Sequence, residues 1–513
     1  MTAKAFWLVP ALALAAGVQA LSFGPIHHEL LQILSFTAAL LLLGQEQRSS
    51  GLKFFAFQLL TLIVGLSWLH ISMTRYGGMH AALSASALVA FCVYLALFGS
   101  AAYALYRLAM QRGWVQGALG GGLCLGGLWG LSELLRAALF TGFPWLSVGY
   151  AHVDGILSPW AALVGVYGVS AWAVCASCWL AGLFTAREAD RRSLLLALVV
   201  LVLLSKLIEK PWTQTIGTAM RSLLIQTNIP QDQKFDIERL VAQQNKLTSM
   251  IGRAQVDLIV TPETAWITPW AHSPAESRER LLESLQRQGG VLALGLPLGA
   301  AIENGNTLPI RSNSMLLIKA DGQLLGRYDK QHLVPFGEFV PSGFRWFVDR
   351  MRIPLGDFER GSYPAPVHPV AGRLIGFNIC YEDLFPEEIA LQVQQGAHVL
   401  VNASNLGWFG DSHALHQHLQ ISRMRSLELQ RPMLRATNTG ATAAIAADGS
   451  LIARLPTMRE EVLVSSVQPM QGLTPFARFR LVGTGLLLVL MLVLALSTAW
   501  FRPASGGRIK IAP

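Results

Sequence analysis

The chain has 513 residues, of which 52% are hydrophobic and 14% are charged, and its formal net charge is +9. A typical soluble domain carries about 25% charged residues, so the composition excludes a disordered chain, a coiled coil and an ordinary soluble enzyme. Residues 1–208 hold only 6 of the 31 aspartates and glutamates. The chain therefore divides into an apolar, acid-poor first part and a more polar part that follows it.

Apolar stretches long enough to cross a bilayer occur throughout the first 208 residues and once more near the end. A spanning helix needs about 20 apolar residues, and eight such stretches are predicted as spans: 5–23, 30–44, 54–73, 80–106, 115–142, 156–185, 193–208 and 481–500. The first is interpreted as an uncleaved span, because further spans follow closely. We predict a bundle of seven spans over 1–208, and a final helix with a tail over 481–513.

Basic residues alternate between the loops that join these spans. The loops 24–29, 74–79 and 143–155 contain only Arg75. The other side carries the remaining basic loop residues: Arg48, Lys53, Arg107, Arg112, Arg187, Arg191, Arg192, Arg502, Arg508 and Lys510. The positive-inside rule then places both termini in the cytoplasm and the segment 209–480 on the outer side of the membrane. The basic excess is thereby explained without a nucleic-acid partner.

The fifth predicted span contains two charged residues, Glu133 and Arg136. Residues three positions apart share a helix face and can pair. Charges within a membrane span suggest a functional site by default. The interpretation favoured here is a structural pair that faces the interior of the bundle.

The segment 209–480 alternates β-rich runs with helical stretches, and about 270 residues suffice to bury a full core. The runs that predict strands are 223–227, 257–261, 291–295, 314–318, 374–379, 399–402 and 433–437. The stretches that predict helices are 237–252, 275–288, 384–395 and 413–430. Asp321-Gly322 and Asp448-Gly449 are typical of hairpin turns. This pattern predicts one α/β domain with some antiparallel pairing.

Glu263 follows the predicted strand 257–261 through Pro262, and Cys380 comes at the end of the predicted strand 374–379. Ligands collect at the carboxyl ends of strands in open α/β sheets, so both residues are expected at a site. The thiolate is the nucleophilic form of cysteine, and Glu263 is the candidate base that removes its proton. Attack on a carbonyl creates an oxyanion that needs fixed positive charge, and Lys330 is the candidate. Glu338, in the same Pro- and Gly-containing loop, could orient Lys330 or share a proton with Glu263.

The remaining cysteines and a histidine group are assigned no chemistry. The other four cysteines lie in apolar stretches and are interpreted as packing residues: Cys92, Cys124, Cys175 and Cys178. His413, His416 and His418 have no carboxylate or thiolate spaced to complete a metal site. Neither a metal nor a cofactor is predicted.

The motifs around Glu263, Lys330 and Cys380 resemble those of the nitrilase superfamily, whose catalytic set is Glu, Lys and Cys in that chain order. The matching segments are Thr261-Pro-Glu-Thr264, Asp329-Lys330, His332-Leu-Val-Pro-Phe-Gly-Glu338 and Asn378-Ile-Cys-Tyr-Glu-Asp383. Together with the flanking spans, essentially the whole chain resembles the apolipoprotein N-acyltransferase family of Gram-negative bacteria. Further segments that add to this resemblance are 332–341, 404–410, 423–428 and 472–475.

The resemblance implies an αββα sandwich for 209–480, located on the periplasmic side of the inner membrane. It implies that Glu263 is the general base, Lys330 the oxyanion stabiliser and Cys380 the nucleophile. The supporting positions that it implies are Glu338, Tyr381 and Glu382.

The resemblance also implies a reaction. An acyl chain of a membrane phospholipid would pass to the cysteine as a thioester, and then to the α-amine of the diacylglyceryl-cysteine of an apolipoprotein. A monomer is expected. The chain departs from the family at three positions, with Thr261 and Phe235 where Trp is common and Leu406 where Asp is frequent. These departures leave the shape of the lipid pocket open.

Two other functions fit parts of the sequence. A membrane-bound nitrilase-type amidase would use the same three residues to hydrolyse a C–N bond, although small amides give no reason for eight spans. A transporter with a large outer domain should show polar or broken helices at mid-membrane, for which Glu133 and Arg136 are the only hint.

The loop after Lys330 is rich in aromatic residues that could line an acyl pocket, dip towards the bilayer or simply pack in the core: Phe336, Phe339, Phe344, Trp346 and Phe347. We expect a mobile lid among residues 340–363.

Overall fold

The structure is a computed structural model that describes residues 3–44, 49–252, 255–299, 310–341, 343, 345 and 358–500. Most of the predicted lid lies outside the described residues, as do Phe344, Trp346, Phe347, Arg48 and the tail beyond residue 500.

Helices make up the first part of the chain. They are α1 (Ala3–Leu21), α2 (Glu29–Gly44), α3 (Ser50–Gly65), α4 (Trp68–Ile71), α5 (Ala81–Gln111), α6 (Gly117–Ala138), α7 (Ala161–Thr185) and α8 (Glu188–Ile208). The last helix of the described residues, Leu481–Ser497, packs against α6 and α7. Glycines of α6 (Gly126, Gly127 and Gly130) let Leu488 and Met491 approach its backbone closely.

The described residues contain three helical stretches long and apolar enough to cross a membrane: Ala81–Gln111, Gly117–Thr141 and Ser158–Thr185. Ser50–Gly65 and Trp68–Tyr76 add a fourth if this pair, bent by 49°, is one span. Trp7–Leu21, Glu29–Gly44 and Leu481–Ser497 are apolar but shorter. The structure thus supports three or four spans, and the count of eight stays a prediction.

The predicted third span is not one straight helix. Its break follows Gly65, whose carbonyl accepts hydrogen bonds from His413 Nε2 at 3.2 Å and Gln417 Nε2 at 3.1 Å. Helices bend where a side chain enters the backbone ladder. Two side chains from the polar part of the chain, those of His413 and Gln417, therefore donate hydrogen bonds to the backbone carbonyl at the bend.

Strands make up two six-stranded sheets in the polar part. Their bounds are β1 (Gln214–Thr215), β2 (Met220–Gln226), β3 (Leu258–Val260), β4 (Val291–Gly299), β5 (Ile310–Lys319), β6 (Leu324–Asp329), β7 (Val367–Val370), β8 (Arg373–Ile379), β9 (Val399–Ser404), β10 (Met433–Thr437), β11 (Ala443–Ile445), β12 (Leu451–Arg454), β13 (Glu461–Val467) and β14 (Met470–Gln471). One sheet has the order β13-β2-β3-β4-β5-β6 and the other β12-β11-β10-β9-β8-β7, while β1 and β14 form a separate pair.

Each large sheet is parallel at its centre and antiparallel at its edges. The parallel strands are β2, β3 and β4 in one sheet and β8, β9 and β10 in the other. The β5–β6 and β11–β12 hairpins turn at Gly322 and Gly449, which have positive φ values of 84° and 78°. Both predicted hairpin turns are therefore confirmed, and so are the seven predicted strands to within a few residues.

Helices cover the outer faces of the two sheets. They are α9 (Leu240–Ile251), α10 (Ala275–Gln288), α11 (Pro386–Gln394), α12 (Ala414–Leu429) and α13 (Pro475–Phe479), whereas the helix Leu481–Ser497 (α14) belongs to the bundle. Apolar residues of both sheets share one buried core. The first sheet buries its other face against α9 and α10, and the second against α11, α12 and α13. The αββα sandwich is therefore confirmed.

The second helical layer is also in contact with the membrane helices. Leu384, Phe385, Ile421 and Met424 are buried in the same apolar core as the bundle. Across this boundary the Glu428 carboxylate accepts a hydrogen bond from Val166 N at 2.7 Å, next to a break in α7 at Gly165. The predicted division at 209–480 stays a prediction, but the two parts share one continuous core.

Candidate active site

Glu263, Lys330 and Glu338 meet in one buried cluster. The Lys330 Nζ lies 3.3 Å from Glu263 Oε1 and 3.0 Å from Glu338 Oε1, and its side chain is 1% exposed. Asn313 Nδ2 donates to the same two oxygens, at 2.7 and 2.8 Å. One ammonium and one amide thus separate two carboxylates that would otherwise repel each other.

The second oxygen of each carboxylate is held by a backbone N–H. Glu263 Oε2 accepts from Asn405 N at 2.8 Å, and Glu338 Oε2 accepts from Val334 N at 2.8 Å. Burial disfavours the charge of Lys330, but Glu263 and Glu338 outweigh that effect and raise the pKa of Lys330 above its usual value. Lys330 therefore stays a fixed positive charge, as oxyanion stabilisation requires.

Cys380 directly follows β8 and has a backbone conformation that is uncommon for a residue with a side chain. Its φ of +53° lies in the left-handed region, so the chain turns sharply there, and the residue as a whole is partly exposed. Burial and the Glu263 charge raise the pKa of the thiol above its usual value, while Lys330 opposes the rise. The thiol is therefore neutral at rest, and a base has to remove its proton before it can attack.

His418 supports the turn at Cys380 from α12. Its Nε2 donates to the Cys380 carbonyl at 3.2 Å, and Arg435 Nη2 donates to its Nδ1 at 2.7 Å. Burial and the Arg435 charge lower the pKa of His418 well below its usual value, so this imidazole stays neutral.

His413 bonds instead to the carbonyl of Gly65, and among the described residues no three His, Cys, Asp or Glu side chains form a metal site.

Glu382 ties the loop that follows Lys330 to the end of β8. Its carboxylate accepts from Gln331 N at 2.6 Å and His332 N at 3.0 Å on one oxygen. The other oxygen accepts from Ile379 N at 2.6 Å and Tyr328 OH at 2.7 Å. Burial raises the pKa of Glu382 to about 7, against the opposing effects of the Lys330 charge and these hydrogen bonds.

Tyr381 faces the membrane helices. Its hydroxyl donates to the Gly142 carbonyl at 2.6 Å, and its ring packs beside Phe143, His332 and Phe385. The residue after Cys380 is thus bonded to the segment that follows α6.

The structure brings all six sequence-predicted residues to one end of the sandwich, and it adds residues that the sequence did not reveal. Asn313, a polar residue on the buried strand β5, could have been noticed for that reason. Lys234 is 1% exposed and donates to the Glu263 carbonyl at 2.9 Å. Burial lowers the pKa of Lys234 to about 7. The signals of Lys234 and Asn405 were too weak, because each is a single polar residue in a mixed segment, and His418 was considered in the sequence only as a metal ligand.

The position that departs from the family beside Glu263 has a local structural role. Thr261 is buried, and its hydroxyl accepts from Gly295 N at 2.8 Å. Gly295 lies so close to this loop that a Cβ atom would stand 2.2 Å from the Pro262 carbonyl oxygen. The loop that carries Glu263 is thereby fixed against β4.

Family models match most of the chain. The carbon-nitrogen hydrolase family matches residues 224–473, and the apolipoprotein N-acyltransferase N-terminal domain family matches residues 15–179. The first match covers the sandwich with all six candidate residues, and the second covers α2 to α6 and most of α7.

Full-length relatives are similar to the chain over nearly all of their length. An apolipoprotein N-acyltransferase of Ralstonia nicotianae is 43% identical, over 93% of this chain and 90% of its own. One from Bordetella bronchiseptica is 40% identical, over 92% and 94% of the two chains. Among solved structures, the C. elegans NitFhit protein has a TM-score of 0.39 and 18% identity, over 50% of this chain and 62% of its own.

Proposed function

The chain belongs to the apolipoprotein N-acyltransferase family, and on this premise we propose that it transfers an acyl chain from a membrane phospholipid to an apolipoprotein. The acceptor is the α-amine of the N-terminal diacylglyceryl-cysteine, and the acyl chain travels as a thioester on Cys380. The observation that carries the proposal is the buried cluster in which Lys330 stands between Glu263 and Glu338, at the end of the sandwich where β8 presents Cys380.

In the first half-reaction Glu263 accepts the proton of the Cys380 thiol, and Sγ attacks the carbonyl carbon of the phospholipid ester. An ammonium has three N–H donors. Glu263 and Glu338 take two of those of Lys330, so one remains for the oxyanion. When the intermediate collapses, the C–O bond to the glycerol breaks, the proton passes from Glu263 to the departing oxygen, and a lysophospholipid leaves.

In the second half-reaction the α-amine attacks the thioester carbonyl. Glu263 accepts a proton from the amine nitrogen, Lys330 again stabilises the oxyanion, and the C–S bond breaks to form the amide. The proton returns to Cys380, which restores the thiol. Glu338, Tyr381 and Glu382 position these groups through the hydrogen bonds already described, and no metal or other cofactor takes part in this scheme.

The same proposal includes the cellular location, the membrane topology and the oligomeric state of the protein. The sandwich faces the periplasm from the inner membrane, both termini lie in the cytoplasm, and the protein acts as a monomer. In this proposal the acyl chain contacts Phe336 and Phe339, which are partly exposed in the loop between Lys330 and the predicted lid.

The test is a covalent intermediate. The purified full-length chain is incubated with phospholipid vesicles and no acceptor. It is then digested, and the mass of the peptide that contains Cys380 is measured by mass spectrometry. We expect an added acyl group that hydroxylamine removes, and its transfer to a diacylglyceryl-cysteine peptide added afterwards. Cys178→Ala serves as the matched control, since Cys178 lies in α7, far along the chain from the site, and should leave acylation unchanged.

Loss of the active groups should have graded effects. Cys380→Ala should abolish the acyl adduct, and Glu263→Gln or Lys330→Ala should each slow acylation by about a hundredfold or more. Acyl transfer by Cys380→Ala at the wild-type rate would reject the thioester route. Hydrolysis of small amides by a wild type that never acquires an acyl group would favour the amidase alternative.

A further inference from the structure

Glu133 and Arg136 of α6 have no part in the acyl-transfer scheme, although both side chains are buried, with 3% and 7% exposure. Charged side chains inside a membrane bundle are costly and usually mark function. Their hydrogen bonds do not join them to each other. They run to Trp129 and to the segment that leaves α6, residues 139–148, which we term the exit loop.

The far end of the exit loop is held by both of these side chains. Glu133 Oε1 accepts from Val148 N at 2.9 Å, and Arg136 Nη2 donates to Ser147 Oγ at 3.0 Å. The Arg136 carbonyl also accepts from Phe143 N at 3.1 Å. The two charged side chains therefore fix where the loop ends, and the backbone of α6 fixes where it begins.

The middle of the exit loop has an unfavourable backbone. Phe140, Thr141 and Gly142 have φ values of +52°, +72° and +80° in succession. Residues with side chains rarely adopt this region, and such a conformation persists only where its surroundings determine it. A Cβ atom at position 142 would stand 1.9 Å from the Ala137 carbonyl oxygen, so the turn also depends on glycine.

This strained turn is bonded to both catalytic loops. The Thr141 carbonyl accepts from His332 Nε2 at 2.9 Å, and the Gly142 carbonyl accepts from Tyr381 OH at 2.6 Å. His332 comes two residues after Lys330, and Tyr381 follows Cys380 directly. Two neighbouring carbonyls of a membrane-helix terminus thus hold the segments that carry the candidate oxyanion stabiliser and nucleophile.

A bound ligand explains the burial of Glu133 and Arg136 less well than their hydrogen bonds to the exit loop do. The cavity beside Glu133 and Arg136 has a volume of about 30 Å³, which is enough for a water molecule or two but not for a lipid headgroup. Glu133 Oε2 and Arg136 Nε make no hydrogen bond within the part of the chain that the structure describes, and water would satisfy both atoms.

We propose that Glu133 and Arg136 are positioning residues for the acyl transfer. By fixing the exit loop they place its Thr141 and Gly142 carbonyls, and these carbonyls set the relative positions of Lys330 and Cys380. This inference rests on the proposed function, since it assigns the pair an effect on that same reaction.

The experiment measures acylation of Cys380 in single turnover, with full-length chain and vesicles of defined phospholipid. Glu133→Leu removes the acceptor for Val148 N and should lower the rate constant by about tenfold or more, because small misplacements of reacting groups are costly. The phospholipid concentration for half-maximal rate should stay within about twofold. Glu133→Gln keeps a carbonyl oxygen for Val148 N and should recover most of the rate.

The matched control is Ser132→Ala. Ser132 lines the same cavity and bonds only to the Trp129 carbonyl among its hydrogen-bond partners in the described chain, so its loss should leave the rate unchanged. A double-mutant cycle adds a second measurement, the coupling between two substitutions in their effect on the rate. No such coupling is expected if Glu133 only stabilises the fold. Since Glu133 and Tyr381 act on the same loop, Glu133→Leu with Tyr381→Phe should lower the rate by less than the product of the two single effects.

A wild-type rate in folded Glu133→Leu, or single effects that simply multiply, would overturn the inference. If Glu133→Leu does not fold, Ser147→Ala decides, because it removes the bond from Arg136 to the loop, together with the Ser147 bond to the Pro144 carbonyl inside the loop, and leaves both charged side chains in place. We expect a rate about threefold to tenfold lower, and an unchanged rate would overturn the inference. If the wild type itself forms no thioester, it is the proposed function that fails.

Discussion

Asn313 is the residue on which the charge balance of the site depends most directly. Its amide Nδ2 donates to one oxygen of Glu263 and one of Glu338, so it binds both carboxylates without adding charge. Lys330 supplies a single positive charge for the two carboxylates. A third negative group at this place would leave the cluster with excess negative charge, and its carboxyl groups would bind protons more readily.

We therefore expect Asn313→Asp to slow acylation of Cys380 by about a hundredfold or more, since a protonated Glu263 cannot accept the thiol proton. The rate is measured in single turnover across a pH series. Ser312→Ala, the neighbouring change on the same strand, serves as the control. Near-normal acylation by Asn313→Asp would show that the amide does not govern the charge of the cluster.

Glu382 predicts a pH dependence of stability. Its pKa is about 7 in the fold and 4.5 in a model peptide, so the folded chain binds the proton more tightly. The stability that this contributes is fully present below about pH 4.5 and is lost as pH rises through about 7. Its size is on the order of 1–3 kcal/mol.

Thermal unfolding of the full-length chain in detergent should thus show a melting temperature that falls between about pH 5 and pH 8. Glu382→Gln should make this fall shallower, because the amide does not titrate, whereas the exposed control Glu283→Gln should leave the slope unchanged. Equal slopes in wild type and Glu382→Gln would contradict the raised pKa.

At the scale of elements, α12 connects the sandwich to the bundle. Gln417 accepts hydrogen bonds from the indole nitrogens of Trp68 and Trp145, at 3.2 and 2.8 Å, and donates to Gly65 at the bend after α3. Its neighbour His418 donates to the Cys380 carbonyl. One turn of α12 thus contacts two tryptophans, the bend and the candidate nucleophile.

Gln417→Leu keeps most of the side-chain volume but leaves two buried indole N–H groups without a partner. Each such group costs about 1–3 kcal/mol, so we expect a melting temperature lower by several degrees and altered tryptophan fluorescence. Gln420→Leu, one turn along on a less buried position, is the control. A melting temperature equal to that of the control would mean that water replaces the lost acceptor.

The strands and helices of the sandwich could be predicted because buried parallel strands are short apolar runs, and Gly322 and Gly449 mark hairpins by local chemistry alone. The bend after Gly65 could not, because its cause is a pair of side chains more than three hundred residues away. Glu263, Lys330 and Cys380 were found through motifs. Lys234 was not, since only the fold places it beside Glu263, and the one signal for Asn313 was a polar residue on a buried strand.

At the scale of the whole molecule, the sandwich and the bundle share an apolar core through Leu384, Phe385, Ile421 and Met424. Residues 209–480 produced alone would expose these side chains to water. We expect that fragment to aggregate or to lack near-ultraviolet circular dichroism, because contiguous exposed apolar surface promotes association. A monodisperse fragment with a native-like spectrum would contradict a shared core, and the full-length chain in detergent provides the reference spectrum.

The pairing of β2 with β13 sets a time order for biogenesis. Gln226 lies opposite Glu461 and Met220 opposite Val467, so the first long strand of the sandwich acquires its outer neighbour only after about 240 further residues have left the ribosome. Until then β2 has an open edge, which is prone to wrong pairing with other chains. Synthesis of the last tenth of the chain is therefore what closes the sheet, and a prematurely terminated product is expected to be cleared by proteolysis instead of persisting as a partial enzyme.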